Sequence, residues 1–166
     1  MVFIDESGLS ERPHRVRTWA PRGQTPVLQY HFNWKVLSAA AGITCRNFYF
    51  RLYQGSIRAP QVVDFLGQLR RKLLVVWDGL PAHRAILVRE FIAAQNGRLA
   101  VAKLPGYAPE LNPVEYIWGY WKHHELPNFC PHDFAELNHH ARRALRRMRR
   151  RPRLVESFWK QAQLSL

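Results

Sequence analysis

The chain has 166 residues, 47% of them hydrophobic, which suits one domain with a packed core and excludes a disordered tail. Lysine and arginine number 25 against 12 aspartates and glutamates, a formal net charge of +13 that points to nucleic acid or another anionic surface as partner. No apolar run approaches the roughly 18 residues of a membrane span, and the opening MVFIDESG lacks a basic region followed by a long apolar stretch, so neither a membrane span nor a signal peptide is expected.

Val2 to Asp5 reads as a short buried strand, and Arg15 to Trp19 as a second. Ala20 to Pro26, APRGQTP, is a turn-rich loop. Val36 to Thr44 and Asn47 to Tyr53 read as a strand pair. Pro60 opens a helix with Val62, Phe65, Leu66 and Leu69 on one face. Leu73 to Trp77 is a continuous apolar run, as in a central strand covered on both sides. His83 to Ala94 reads as a helix ended by Asn96-Gly97, and Leu99 to Leu104 as a further strand. A proline-rich loop then leads into a helix carrying Glu115. Another helix spans about Asp133 to Arg149, and a short last one covers Leu154 to Gln163. Strands dominate the first third and helix alternates with strand afterwards. The pattern predicts an α/β fold, a mixed sheet with helices packed on it. Cys45 and Cys130 form no CxxC pattern and read as reduced thiols of a cytosolic protein.

Three acids stand out by position. Asp5 lies on the first strand, Asp78 ends the most apolar strand, and Glu115 begins a helix. Ligands of such sheets gather near the carboxyl ends of central strands. Each acid also has a purely local reading. Asn112 is a good N-cap and Pro113 a good first helical residue, so Glu115 falls where a glutamate closes a capping box. Asp5 also reads as a turn former at a strand end, and Asp78-Gly79 as a turn. Together, in an acid-poor chain, the three carboxylates suit Mg²⁺ or Mn²⁺, and two such ions activate a nucleophile and stabilise a leaving oxygen at a phosphodiester. Glu6 follows Asp5 and should point to the opposite sheet face. Both Glu6 and Glu110 are expected to face solvent. Trp118 and Trp121 read as core or as base-stacking residues. His123, His124, Cys130 and His132 match no familiar zinc spacing. The run from Arg142 to Arg153 holds eight arginines on an amphipathic helix. Arg142, Arg143, Arg146, Arg147 and Arg150 are expected to contact phosphates, which positions DNA without reading its sequence.

The segments FIDESG, RTWAPRGQTP, LLVVWDGLPAH and LPGYAPELNPVEYIWGYWK resemble the catalytic domain of insertion-sequence transposases of the mariner superfamily, in its bacterial branch, from residue 2 to about 160. The most specific part of the resemblance is Asp78 with His83 five residues on, combined with Leu-Asn-Pro-x-Glu ending at Glu115. The resemblance implies a ribonuclease-H-like fold with a five-stranded sheet and C-terminal helices, spanning residues 1–166 as one DDE endonuclease domain. It implies Asp5, Asp78 and Glu115 as the catalytic triad and ligands of Mg²⁺ or Mn²⁺, in two sites. His83 matches a histidine near the second acid and, with Asn112 and Pro113, reads as a positioning residue. The implied reaction is metal-dependent hydrolysis at element ends, then attack of the freed 3′-hydroxyl on target DNA.

No helix-turn-helix region precedes the first strand. The chain is therefore expected to be a second reading frame of a frameshifted element, a truncated copy or an excised domain, with a separate helix-turn-helix part as a candidate partner. A homo-oligomer on DNA and a bacterial cytoplasmic, nucleoid-associated location are expected. The alternatives are an inactive remnant that only binds nucleic acid and a stand-alone metal nuclease of the same fold.

Overall fold

In the computed structural model, which describes residues 1–30, 34–106 and 108–164, five strands form one sheet in the order β3-β2-β1-β4-β5. They are β1 (Val2–Ser10), β2 (Val36–Ile43), β3 (Phe48–Gln54), β4 (Leu73–Trp77) and β5 (Leu99–Lys103). The first three strands are antiparallel neighbours, and β4 and β5 run parallel to β1. This is the mixed sheet the sequence predicts. The first strand runs on to Ser10, well past Asp5, because β2 pairs with it along that whole length.

Helices cover both faces. On one face lie α1 (Ala59–Gly67) and α2 (Ile86–Ala93), with Val62, Phe65, Leu66 and Val88 packed on Val2, Ile4, Val75 and Trp77. The other face carries α3 (Pro113–Tyr120), α4 (Phe134–Arg149) and α5 (Pro152–Gln161), with Ile117, Trp118, Leu145 and Phe158 packed on Phe3, Ala41 and Val76. Alternate residues of β1 and β4 thus enter opposite cores, as strand pleating requires. That is why Leu73 to Trp77 is apolar throughout.

Two expectations are corrected, and one feature is new. Arg15 to Trp19 forms no strand; Trp19 is fully exposed, and the nearest ladder contact is an isolated bridge between His14 and Pro127. His83 is not on a continuous helix. It sits in a 3₁₀ turn, Pro81–Arg84, which the extended Ala85 (φ −60°, ψ 146°) separates from α2. After α3 the chain does not simply stop being helical but widens into a π-helical turn, Trp121–Glu125. Trp118 and Trp121 are both buried, which settles the choice between core and stacking in favour of core. Among the described residues no helix is long and apolar enough to cross a membrane.

Candidate active site

Asp5, Asp78 and Glu115 line one cavity of about 180 Å³, walled by Leu104, Pro105, Ala108, Pro109 and Asn112. Each acid reaches it from a different element. Asp5 projects from the central strand β1 into the face that holds α3, where it is only 8% exposed. Its Oδ2 accepts a hydrogen bond from the Trp118 indole Nε1–H at 3.0 Å. Burial, and then the negative charge of Glu115, push the Asp5 carboxyl up to about 7, against the pull of the indole donor.

Asp78 is the first residue after β4. Its Oδ1 accepts from the Leu80 backbone N–H at 3.0 Å, an Asx turn, and lies 2.9 Å from His83 Nδ1. Glu115 lies in the first turn of α3. Asn112 is the N-cap and accepts from Val114 N–H at 3.2 Å, and Pro113 is the first helical residue. Glu115 closes no capping box. It is exposed, and its carboxylate makes no hydrogen bond among the described residues, so the competition between capping and the cavity does not arise.

His83 is 4% exposed and stacks on Trp77, centroids 4.3 Å apart and rings 5° from parallel. Its Nε2 lies 3.0 Å from Glu6 Oε1. The expectation that Glu6 faces solvent is therefore wrong, although it does point to the face opposite Asp5: its side chain is 13% exposed and engaged with His83. Burial pushes the His83 ring down, but its hydrogen bond to Glu6 and the charges of Glu6 and Asp78 outweigh this and hold it above the usual histidine value. Glu110 does face solvent, on the turn Pro109–Leu111. Sequence reasoning missed Lys122. It is half-buried on the π-helical turn within reach of the charges of Glu115 and Asp5, and burial lowers its pKa against their pull. Its position seven residues after Glu115, two helical turns on, was the available signal.

The all-oxygen, like-charged donors of the cavity fit a hard divalent cation, which would relieve the repulsion that Glu115 exerts on Asp5. They are not drawn into a finished ligand shell. Among the described residues no three His, Cys, Asp or Glu side chains lie close enough together to hold a metal ion.

A second concavity, about 540 Å³, is lined by Arg142, Arg143, Arg146, Arg147 and Arg150 together with His139 and Arg151. Arg147 differs from the rest. Its guanidinium binds Glu125, a side chain only 4% exposed, through Nε at 2.8 Å and a second contact, and Arg151 joins the pair. Part of the charge expected to face phosphates is thus engaged in an ion pair within the chain.

A family model described as DDE superfamily endonuclease matches residues 1–138. No curated protein sequence matches the chain. Among solved structures, the mariner Mos1 paired end complex with Mg superposes with a TM-score of 0.69 at 17% identity, covering 98% of this chain and 51% of that chain. The Mos1 strand transfer complex gives 0.61 at 18% identity over 98% of this chain and 53% of the other. The catalytic domain of Mos1 mariner transposase gives 0.56 at 13% identity over 99% of this chain and 83% of that one. These likenesses show a ribonuclease-H-like fold. The chain spans about half the length of the longer Mos1 chains it resembles.

Proposed function

Because the chain belongs to the DDE superfamily endonuclease family, we propose that residues 1–166 are the catalytic domain of an insertion-sequence transposase from the bacterial branch of the mariner superfamily. It cuts the ends of its element and joins the freed 3′-hydroxyl to target DNA. The observation that carries this reading is the shared cavity of Asp5, Asp78 and Glu115.

In this reading the three carboxylates would hold Mg²⁺ or Mn²⁺. Bound there, such ions supply Lewis acidity at the scissile phosphodiester. The rest falls to the chain's own residues. Asp5 is braced by the Trp118 indole and Asp78 by the Leu80 N–H and His83. Asn112 and Pro113 set where α3 begins, and so where Glu115 stands. Burial makes the unpaired charge of Asp5 costly, and a cation held there would offset that cost. Arg142, Arg143, Arg146 and Arg150 line a basic concavity suited to the phosphate backbone. Binding of element ends, assembly of more than one copy on DNA and a separate helix-turn-helix part extend the proposal. The Mos1 paired end complexes supply the analogy for the first two.

The test is nicking of supercoiled plasmid by the purified chain with Mg²⁺ or Mn²⁺, beside Asp78→Asn. Metal-dependent nicking that is lost in the variant supports the proposal. No nicking by either protein, with DNA binding retained, favours a domain that only binds nucleic acid.

A further inference from the structure

We infer that Glu6 is a positioning residue for Asp78, acting through His83 from the opposite face of the sheet. The inference rests on the reading of Asp78 as a site carboxylate.

Glu6 and Asp5 are neighbours on β1, so their side chains leave the sheet on opposite faces. Asp5 enters the triad cavity. Glu6 borders a separate cavity of about 190 Å³ with Ser7, Ser38 and Leu80, so it is placed to support the site and not to join it. The link between the two faces is the imidazole of His83. Trp77 fixes the plane of that ring by stacking at 4.3 Å. Stacking leaves rotation within the plane free, and Glu6 Oε1, 3.0 Å from Nε2, removes that freedom. With Nε2 held, Nδ1 is aimed at the end of β4. It lies 2.9 Å from Asp78 Oδ1 and 3.4 Å from the Asp78 backbone oxygen. Both ring nitrogens are thereby committed.

The consequence falls on Asp78. Its Oδ1 is gripped by Leu80 N–H and His83, while Oδ2 makes no hydrogen bond among the described residues and stays available to the cavity. Remove Glu6 and the ring can turn, Oδ1 loses a partner, and the carboxylate can rotate. Glu6 is also an expensive choice for mere packing. Its second oxygen, Oε2, is buried with no hydrogen-bond partner among the described residues. A buried polar atom left unpaired costs stability, a cost that filling space alone would not call for. Partners of this kind behind a ligating group commonly change metal affinity or rate by roughly 10-fold to 100-fold when removed.

The test compares Glu6→Ala and Glu6→Gln in the purified chain by Mn²⁺ binding (electron paramagnetic resonance), plasmid nicking, melting and the ¹⁵N ring resonances of His83. Glu6→Gln keeps an acceptor oxygen of the same reach. The expected result is about 10-fold weaker Mn²⁺ binding or slower nicking in Glu6→Ala with the His83 ring resonances shifted, and recovery to within about threefold in Glu6→Gln. A folded Glu6→Ala that matches the parent in binding, rate and ring resonances overturns the inference. If Glu6→Ala does not fold, Glu6→Leu, which keeps bulk but removes the acceptor, decides: an about 10-fold loss with the His83 signature moved supports it, and a rate near the parent's with that signature unchanged overturns it. If the parent itself neither binds Mn²⁺ nor nicks, the proposed function fails on its own account. The ring resonances of His83 and the carboxyl resonance of Asp78 then still decide the positioning claim, by moving or staying in the Glu6 variants.

Discussion

Asp5 and Asp78 line one cavity and stand 73 positions apart (78 − 5), the same offset as the residues paired between the parallel strands β1 and β4, Val2 with Val75 and Phe3 with Val76. Their relative height therefore depends on one strand pairing. A slip of a single residue would put one of them on the wrong face. Glu115 is set by a different device, the capped start of α3, so two of the acids share a mechanical origin and the third does not.

Glu115→Gln is expected to fold like the parent, because Glu115 is exposed and its carboxylate makes no hydrogen bond among the described residues. Nicking should fall roughly 100-fold or more, since a metal-held charge is worth several kcal/mol to the transition state. Removing the charge also lowers the Asp5 pKa, because Glu115 is one of the groups that raise it. Melting curves and plasmid nicking read both effects, and a variant that nicks at the parent's rate excludes Glu115 from the triad.

Stability should fall as pH rises through the window from about 4 to about 7. The Asp5 carboxyl lies near 3.8 in the unfolded chain and about 7 in the native one. Between these values the native state holds the extra proton, so raising the pH favours unfolding. Three units correspond to on the order of 4 kcal/mol. The contribution is fully present below the unfolded value and gone above the folded one. Urea unfolding at pH 5 and pH 8 should show this slope in the parent and a shallower one in Asp5→Asn, where His83, also raised in the fold, still contributes; Asp5→Asn should be the more stable protein at pH 8.

Mn²⁺ or Mg²⁺ should raise the melting temperature at pH 8. At about 100 times its dissociation constant a single ion adds close to 3 kcal/mol. The shift should shrink at pH 5, where Asp5 is protonated, and vanish in Asp5→Asn. An equal shift in the parent and that variant places the ion elsewhere.

The arginines should divide into two groups. Arg143→Ala and Arg150→Ala should each flatten the salt dependence of DNA binding by about one phosphate contact and leave melting unchanged. Arg147→Ala should lower stability by about 1–2 kcal/mol, because it takes one of two cations from the buried Glu125 while its own exposure screens the loss. Salt titrations of plasmid binding and melting curves separate the groups.

Much of this is legible in the sequence. Leu73 to Trp77 is a strand at both predicted ends, because a strand covered on both faces leaves no polar position inside it. Asn112 and Pro113 carry their meaning locally, so the start of α3 was plain. What stayed hidden depended on distant partners. Arg15 to Trp19 alternates like a strand, but no neighbour offers it a ladder. The face that Glu6 occupies followed from pleating, whereas its burial depends on His83, 77 residues away. Arg147 looked like its neighbours because Glu125, its partner, lies beyond the loop that precedes α4.

Trp118 has two duties that cannot be uncoupled. Its ring packs against Trp121 in the interior, and its indole N–H braces Asp5. A hydrophobic substitute at this position can restore the volume but not the donor. Under the proposed function, drift at this interior position is therefore also drift in the chemistry. A library selected only for folding should accept phenylalanine or leucine there, whereas one selected for DNA cleavage should return to tryptophan. In evolutionary terms the proposed site extends one layer into the core, and an inventory of acidic residues alone understates what a cleaving lineage would have to keep.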